Sequence, residues 1–172
     1  EKVQVIKTVE EYAIVFHNVG FYFYSDNKML LSSQPTQDKF GRLKDIIKKE
    51  ISTHLIYFEN KDSMIYCYGY IAPVEYSQIN KSIQMFYVNN RPVTCRILNQ
   101  ALYDAYRDIL PTGRHPVAIV FIDIAPGAVD VNINYRNHKN FQSWKNLVLN
   151  SILIWVNYIG LIYYLKLLKV YL

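Results

Sequence analysis

The chain has 172 residues, of which 51% are hydrophobic and 16 are tyrosine, a composition that excludes a disordered protein and allows one domain with a core, or one domain plus a tail. Its net charge of +5 comes from the C-terminal end: no Asp or Glu follows Asp130, whereas Arg136, Lys139, Lys145, Lys166 and Lys169 do, and without those five, 14 basic residues face 14 acidic ones. A global cationic field is therefore excluded, and any nucleic-acid surface on the body must be a local patch.

Apolar Val5, Ile6, Val9, Ala13 and Phe16 recur at helical spacing and predict an amphipathic helix, which Gly20 ends. Phe21 to Tyr24 and Met29 to Leu31 flank Ser25-Asp26-Asn27-Lys28, a hairpin signal. Ser32 to Asp38 reads as a loop around Pro35. Phe40, Leu43, Ile46, Ile47 and Ile51 predict a second helix, with Lys44, Lys48 and Lys49 on its solvated side. Two strands follow, Leu55 to Phe58 and Ile65 to Ile71, joined at Asn60-Lys61-Asp62-Ser63 and stopped by Pro73. After a polar loop, Glu75 to Ser82, Gln84 to Val88 is a strand, and Asn89-Asn90 turns the chain. Thr94 is the expected N-cap of a helix burying Ile97, Leu98, Ala101, Leu102, Ala105 and Ile109, which Pro111-Thr112-Gly113 stops. Val117 to Ile124, nearly all apolar and β-branched, predicts a central strand covered on both faces. Strand, helix, strand in this order gives a two-layer α/β sandwich.

Arg96, Gln100, Tyr103 and Arg107 lie four, three and four residues apart and so share one polar helix face. With Arg91 at the turn and Lys81 in the preceding loop, they form a candidate surface for a phosphate backbone, beside the plainer reading of a solvated helix face. Cys67 and Cys95 have no CxxC spacing and read as buried or half-buried free thiols, which fits a reducing cytoplasm. His17, His54, His115 and His138 lack ligand spacing and read as structural or exposed; no metal site and no catalytic residue is assigned.

Longer motifs sharpen this reading. Phe86 to Asn132 joins YVNNRPV, CRILNQAL and an apolar strand ending in VDVN, and upstream lie Tyr68-Gly69-Tyr70-Ile71-Ala72-Pro73 and Tyr76-Ser77-Gln78-Ile79-Asn80-Lys81-Ser82-Ile83-Gln84. Together they resemble the second domain of the ATPase region of the MutL family of DNA mismatch repair proteins. Asn90 stands where many relatives have Gly, a substitution that Asn tolerates because it also accepts a left-handed backbone. The resemblance implies a mixed sheet with helices, similar to the second domain of ribosomal protein S5. It also implies a groove where DNA passes, with Arg96 at the position of a DNA-binding arginine. In the family, a preceding GHKL-type nucleotide-binding domain binds ATP and Mg, and ATP binding closes a MutL-type dimer around DNA and engages the mismatch-recognition protein MutS.

Relatives continue after VDVN with a V-H-P-x-K loop whose lysine reaches the terminal phosphate of ATP. Here Asn134, Tyr135 and Asn137 replace its His, Pro and Lys, and Lys139 is two places late, so the lysine's role is not carried over. No GxxxxGK[ST] or GxGxxG motif occurs, and the chain opens on Glu1 without a signal-peptide layout. The expectation is a fragment of a longer cytosolic bacterial protein that lacks ATPase activity alone.

Residues 1–133 are thus expected to form this coupling domain and 134–172 a divergent tail. Leu147 to Leu165 is strongly apolar and ends at Lys166 and Lys169. Three readings of it stay open: a membrane span that tethers the protein, a helix packed on the sheet, or the product of a shifted reading frame in a non-functional gene, since the resemblance stops near Ile133. The last reading expects the tail to contribute nothing to the fold.

Overall fold

The computed structural model describes residues 2–61, 65–124, 146, 149, 150 and 152. The chain divides into two compact units, Glu1–His54 with Asn90–Pro92, and Leu55–Asn89 with Val93–Leu172.

In the first unit, helix α1 (Lys2–Val15) precedes an antiparallel hairpin of β1 (Phe21–Ser25) and β2 (Lys28–Ser33). Asp26 and Asn27 hold φ of 52° and 59°, the left-handed pair that a two-residue hairpin turn needs to match strand twist. Only the last turn of α1 is buried, through Ala13, Ile14 and Val15; Val5 and Phe16, expected on the inner face, are exposed. Helix α2 (Lys39–Ile46) is capped by Asp38, whose Oδ1 accepts from the Gly41 N–H at 2.7 Å.

The single helix expected from Phe40 to Ile51 is two: α2 ends at Ile47, whose ψ is 138°, and α3 (Lys49–Ser52) restarts after it. Ile47 and Ile51 are both buried on either side of this break, so the hydrophobic period runs through a backbone that does not.

Periodicity also left Arg42 unremarked, and it is fully buried. Its Nη2 donates to the carbonyls of His17 at 2.8 Å and Val19 at 2.5 Å, its Nη1 donates to the Ser33 hydroxyl, and its guanidinium lies 5.6 Å from the Phe21 ring centroid. The Ser33 hydroxyl in turn donates to Asp45 Oδ2 at 2.9 Å. Burial pushes the Arg42 guanidinium below its ordinary range, and nearby Asp45 opposes that shift. One side chain thereby ties the turn that follows α1, the hairpin and α2 together.

The second unit is built on β3 (Ile56–Lys61), β4 (Ile65–Ile71), β5 (Gln84–Val88) and β7 (Ala118–Ile124); β6 (Arg91–Val93), whose Arg91 and Pro92 count with the first unit, ends the sheet order β3-β4-β7-β5-β6. β3–β4 and β4–β7 are antiparallel and β5–β7 parallel, so the sheet is mixed, with the expected apolar strand β7 at its centre. A Cβ at Gly69 would collide with the carbonyl of Ile119, so glycine permits the close approach of β4 to β7. Asn89 and Asn90 hold φ of 46° and 60°. The Asn89 side chain continues the parallel ladder: its Oδ1 accepts from Ile124 N–H at 2.8 Å and its Nδ2 donates to Ile124 O at 3.3 Å.

Between β6 and β7 runs α4 (Arg96–Tyr106). Its Leu98, Ala101, Leu102, Ala105 and Tyr106 pack on Phe58, Cys67, Ile71, Phe86, Val120 and Ile122 of the sheet, giving the two-layer arrangement expected. Tyr106 replaces Ile109 as the last buried residue. Ile109 lies beyond the helix and is exposed, while the Tyr106 hydroxyl donates to Ala72 O at 3.0 Å. Both cysteines are buried and free. The opposite sheet face is aromatic, with Tyr66, Tyr68, Phe121 and Tyr87 stacked in a row at successive centroid separations of 4.8, 5.2 and 4.8 Å.

Ile152 is fully buried in the same core cluster as the α4 side chains, and Leu149 packs against that cluster. This departs from the expectation that the tail contributes nothing to the fold. Most of Leu147 to Leu165 lies outside the described residues, among which no helix is long and apolar enough to cross a membrane.

Candidate nucleic-acid interface

The buried side of α4 fixes what its outer side can display. With Leu98, Ala101, Leu102 and Ala105 against the sheet, Arg96, Gln100 and Arg107 are exposed, as the 4-3-4 spacing requires. Thr94 is not the N-cap. Cys95 holds that position without a side-chain cap bond, and Asn99 folds its Nδ2 back onto the Cys95 carbonyl at 3.0 Å. The helix thus opens with N–H groups that no capping side chain satisfies, directly at Arg96, an arrangement favourable to an anion.

Two clusters occupy the same face. In one, Asp104 Oδ1 accepts from Gln100 Nε2 at 2.9 Å and from Arg107 Nη2 at 2.5 Å. Asp104 was absent from the sequence-derived set, although it lies four residues after Gln100 and therefore on the same stripe. In the other, Lys81 Nζ sits 5.4 Å from the Tyr103 ring centroid, a cation–π geometry. Tyr103 is itself held: Gln84 Nε2 donates to its hydroxyl at 3.2 Å and to Pro116 O at 3.1 Å, and the hydroxyl bonds the ring nitrogen of His115. His115 is anchored by backbone bonds with Gln78 in both directions, at 2.7 and 2.8 Å. Arg114 donates to the hydroxyl and carbonyl of Ser77. None of Gln84, His115 or Arg114 was legible as a support, because each meets Tyr103 or the loop from a different element.

The structure therefore brings Lys81, Gln100 and Arg107 into hydrogen-bonded or stacked clusters on α4 and its neighbouring loop, with Arg96 one turn before Gln100. Arg91 is exposed in β6 and is counted with the first unit of the chain. Among the described residues no group of three metal-ligating side chains occurs.

The family described as DNA mismatch repair protein, C-terminal domain, matches residues 43–139, more than half of the chain. The chain belongs to the MutL family of DNA mismatch repair proteins. It is 32% identical to the DNA mismatch repair protein MutL of Sphingopyxis alaskensis over 75% of this chain and 21% of that protein. It is 30% identical to MutL of Rickettsia bellii over 88% of this chain and 28% of that one. The chain thus spans between about a fifth and three tenths of the length of these relatives. Its fold is similar to the N-terminal domain of a DNA repair protein, with a TM-score of 0.74 at 16% identity over 92% of this chain and 54% of the other. It is also similar to the Aquifex aeolicus MutL ATPase domain complexed with ADP, with a TM-score of 0.57 at 13% identity over 86% of this chain and 47% of the other.

These matches correct one expectation. Similarity does not stop near Ile133: the family match runs to residue 139, and 88% of 172 residues is about 151, so the Rickettsia alignment reaches that far even from residue 1.

Proposed function

We propose that this region couples nucleotide state to DNA clamping in a MutL-type protein. ATP and Mg are held by the GHKL-type domain that precedes this region in the family; a second MutL-type chain closes the clamp, and MutS and later repair factors are engaged by the closed form. The α4 face contacts the DNA backbone without reading sequence, with Arg96 as the leading cation and Lys81, Gln100 and Arg107 as further contacts; Arg91, in the first unit, is a separate candidate contact. Lys139 does not act on the nucleotide. The protein works in the bacterial cytosol, a reading that two buried free thiols support.

The observation that carries this reading is Arg96 exposed at an uncapped helix start, on a body with balanced charge. Such a surface makes few phosphate contacts and discriminates poorly between sequences. Competition of unlabelled duplexes of unrelated sequence for a fluorescent duplex tests it. All should compete equally against the wild-type chain, and Arg96→Glu should lose affinity for all of them alike. A strong preference for one sequence, or an Arg96→Glu variant that binds like wild type, would refute it. Ile152 in the core and the similarity beyond residue 133 favour a packed tail over an anchor or a shifted frame.

A further inference from the structure

We infer that Asp104 restrains the DNA affinity of the α4 face, acting as a built-in competitor for the groups that would otherwise take a phosphate. The inference rests on the reading of α4 as the DNA-contacting face. Asp104 Oδ1 engages both Gln100 Nε2, at 2.9 Å, and Arg107 Nη2, at 2.5 Å, so two of the face's donors point at a carboxylate oxygen of the protein itself. The Asp104 side chain is 15% exposed and that of Arg107 70%, which places the carboxylate beneath the guanidinium that covers it. Arg107 therefore reaches solvent as half of an ion pair. A phosphate approaching it meets a cation already compensated and a negative charge just behind.

A surface ion pair of this kind is held weakly enough to be exchanged. A phosphate that displaces Asp104 gains a bidentate-capable partner but leaves a carboxylate close to the polyanion, and the two effects oppose each other. The acid thus keeps binding weak and reversible, as a clamp that must release its DNA requires. Arg96 and Lys81 supply the binding that remains.

The test is fluorescence anisotropy with a labelled 30-base-pair duplex against the full chain at a series of salt concentrations. Asp104→Asn should bind about threefold to tenfold more tightly at low salt and steepen the plot of log affinity against log salt by about one contact's worth, roughly 0.9. Asp104→Glu, which keeps the charge, should bind like wild type. Arg107→Ala should weaken wild-type binding only modestly, by about twofold to threefold, yet abolish most of the gain in the Asp104→Asn background, because only there is the guanidinium fully free for phosphate. Thermal unfolding of each variant checks that the helix stands, and Asp104→Ser replaces Asp104→Asn if the latter unfolds. If Arg96→Glu weakens binding while neutralising Asp104 changes neither affinity nor slope, the restraint is wrong and the DNA face stands. If Arg96→Glu also has no effect, the DNA face itself is wrong and the restraint falls with it.

Discussion

In the first unit Arg42 is fully buried and spends its donors on the carbonyls of His17 and Val19 and the hydroxyl of Ser33. On α4 of the second, Arg96 and Arg107 stand exposed, and Arg107 pairs with neighbouring Asp104. The guanidinium is the same, but water decides its use. Once desolvated, Arg42 must find fixed acceptors, and in doing so it orders three elements. Left in solvent, the α4 arginines hold nothing in the fold together and remain available to an outside anion.

The comparison predicts that the two regions fail differently when altered. The largest loss of stability belongs to Arg42→Ala, which removes the donor to the Val19 carbonyl and the Ser33 hydroxyl and one of the donors to the His17 carbonyl. It should destabilise the chain on the order of 3 kcal/mol by urea unfolding, while whatever protein remains folded binds DNA as before. A loss below about 1 kcal/mol would mean the buried arginine is dispensable.

A smaller loss is expected from Ile152→Ala, which removes a side chain from the core cluster and should cost about 2 kcal/mol without altering affinity for DNA. An unchanged unfolding midpoint would restore the reading of the tail as a bystander.

Tyr106→Phe is milder at neutral pH, about 1 kcal/mol for its bond to Ala72, but it changes the response to alkali. Burial raises the Tyr106 hydroxyl above its ordinary value, and burial likewise comes first in raising Tyr57 and Tyr68. A raised value gives stability that is complete below the ordinary tyrosine range near 10 and is lost as pH climbs beyond it, because the unfolded chain then releases protons that the folded chain retains. Wild-type stability should therefore fall steeply above about pH 10, and that of Tyr106→Phe less steeply. Parallel pH profiles would contradict this.

Much of the second unit was legible because its signals are local. The alternation of β4, the apolar run of β7 and the left-handed Asn89-Asn90 turn each depend on near neighbours in sequence. The same holds for the Asp26-Asn27 hairpin in the first unit. The exposed positions of α4 followed from the 4-3-4 spacing alone. What could not be read depends on distant partners: Arg42 next to Leu43 looks like the polar neighbour of a core residue until residues 17, 19 and 33 come around it. The break at Ile47 is hidden by hydrophobic spacing that continues across it. Thr94 has the better capping chemistry, but the backbone enters the helix one residue later, so Cys95 takes the N-cap position. On the face itself, Asp104 was within reach of the spacing argument. The meaning of this acid lies in the donors it occupies, which the spacing of cations alone does not show.

The claim that α4 displays its charge for an outside partner, whereas Arg42 keeps its charge for the fold, meets its most direct test in the salt dependence of DNA binding by the full chain and Arg96→Glu. The wild-type chain should bind a labelled duplex weakly, with log affinity falling linearly against log salt. Arg96→Glu should lose affinity at least about fivefold at low salt and flatten that slope by roughly one contact, about 0.9, with unfolding free energy within about 0.5 kcal/mol of wild type. Superimposable salt plots for the two proteins would contradict the account, since an arginine at the leading end of the contact face cannot be reversed in charge without the polyanion registering it.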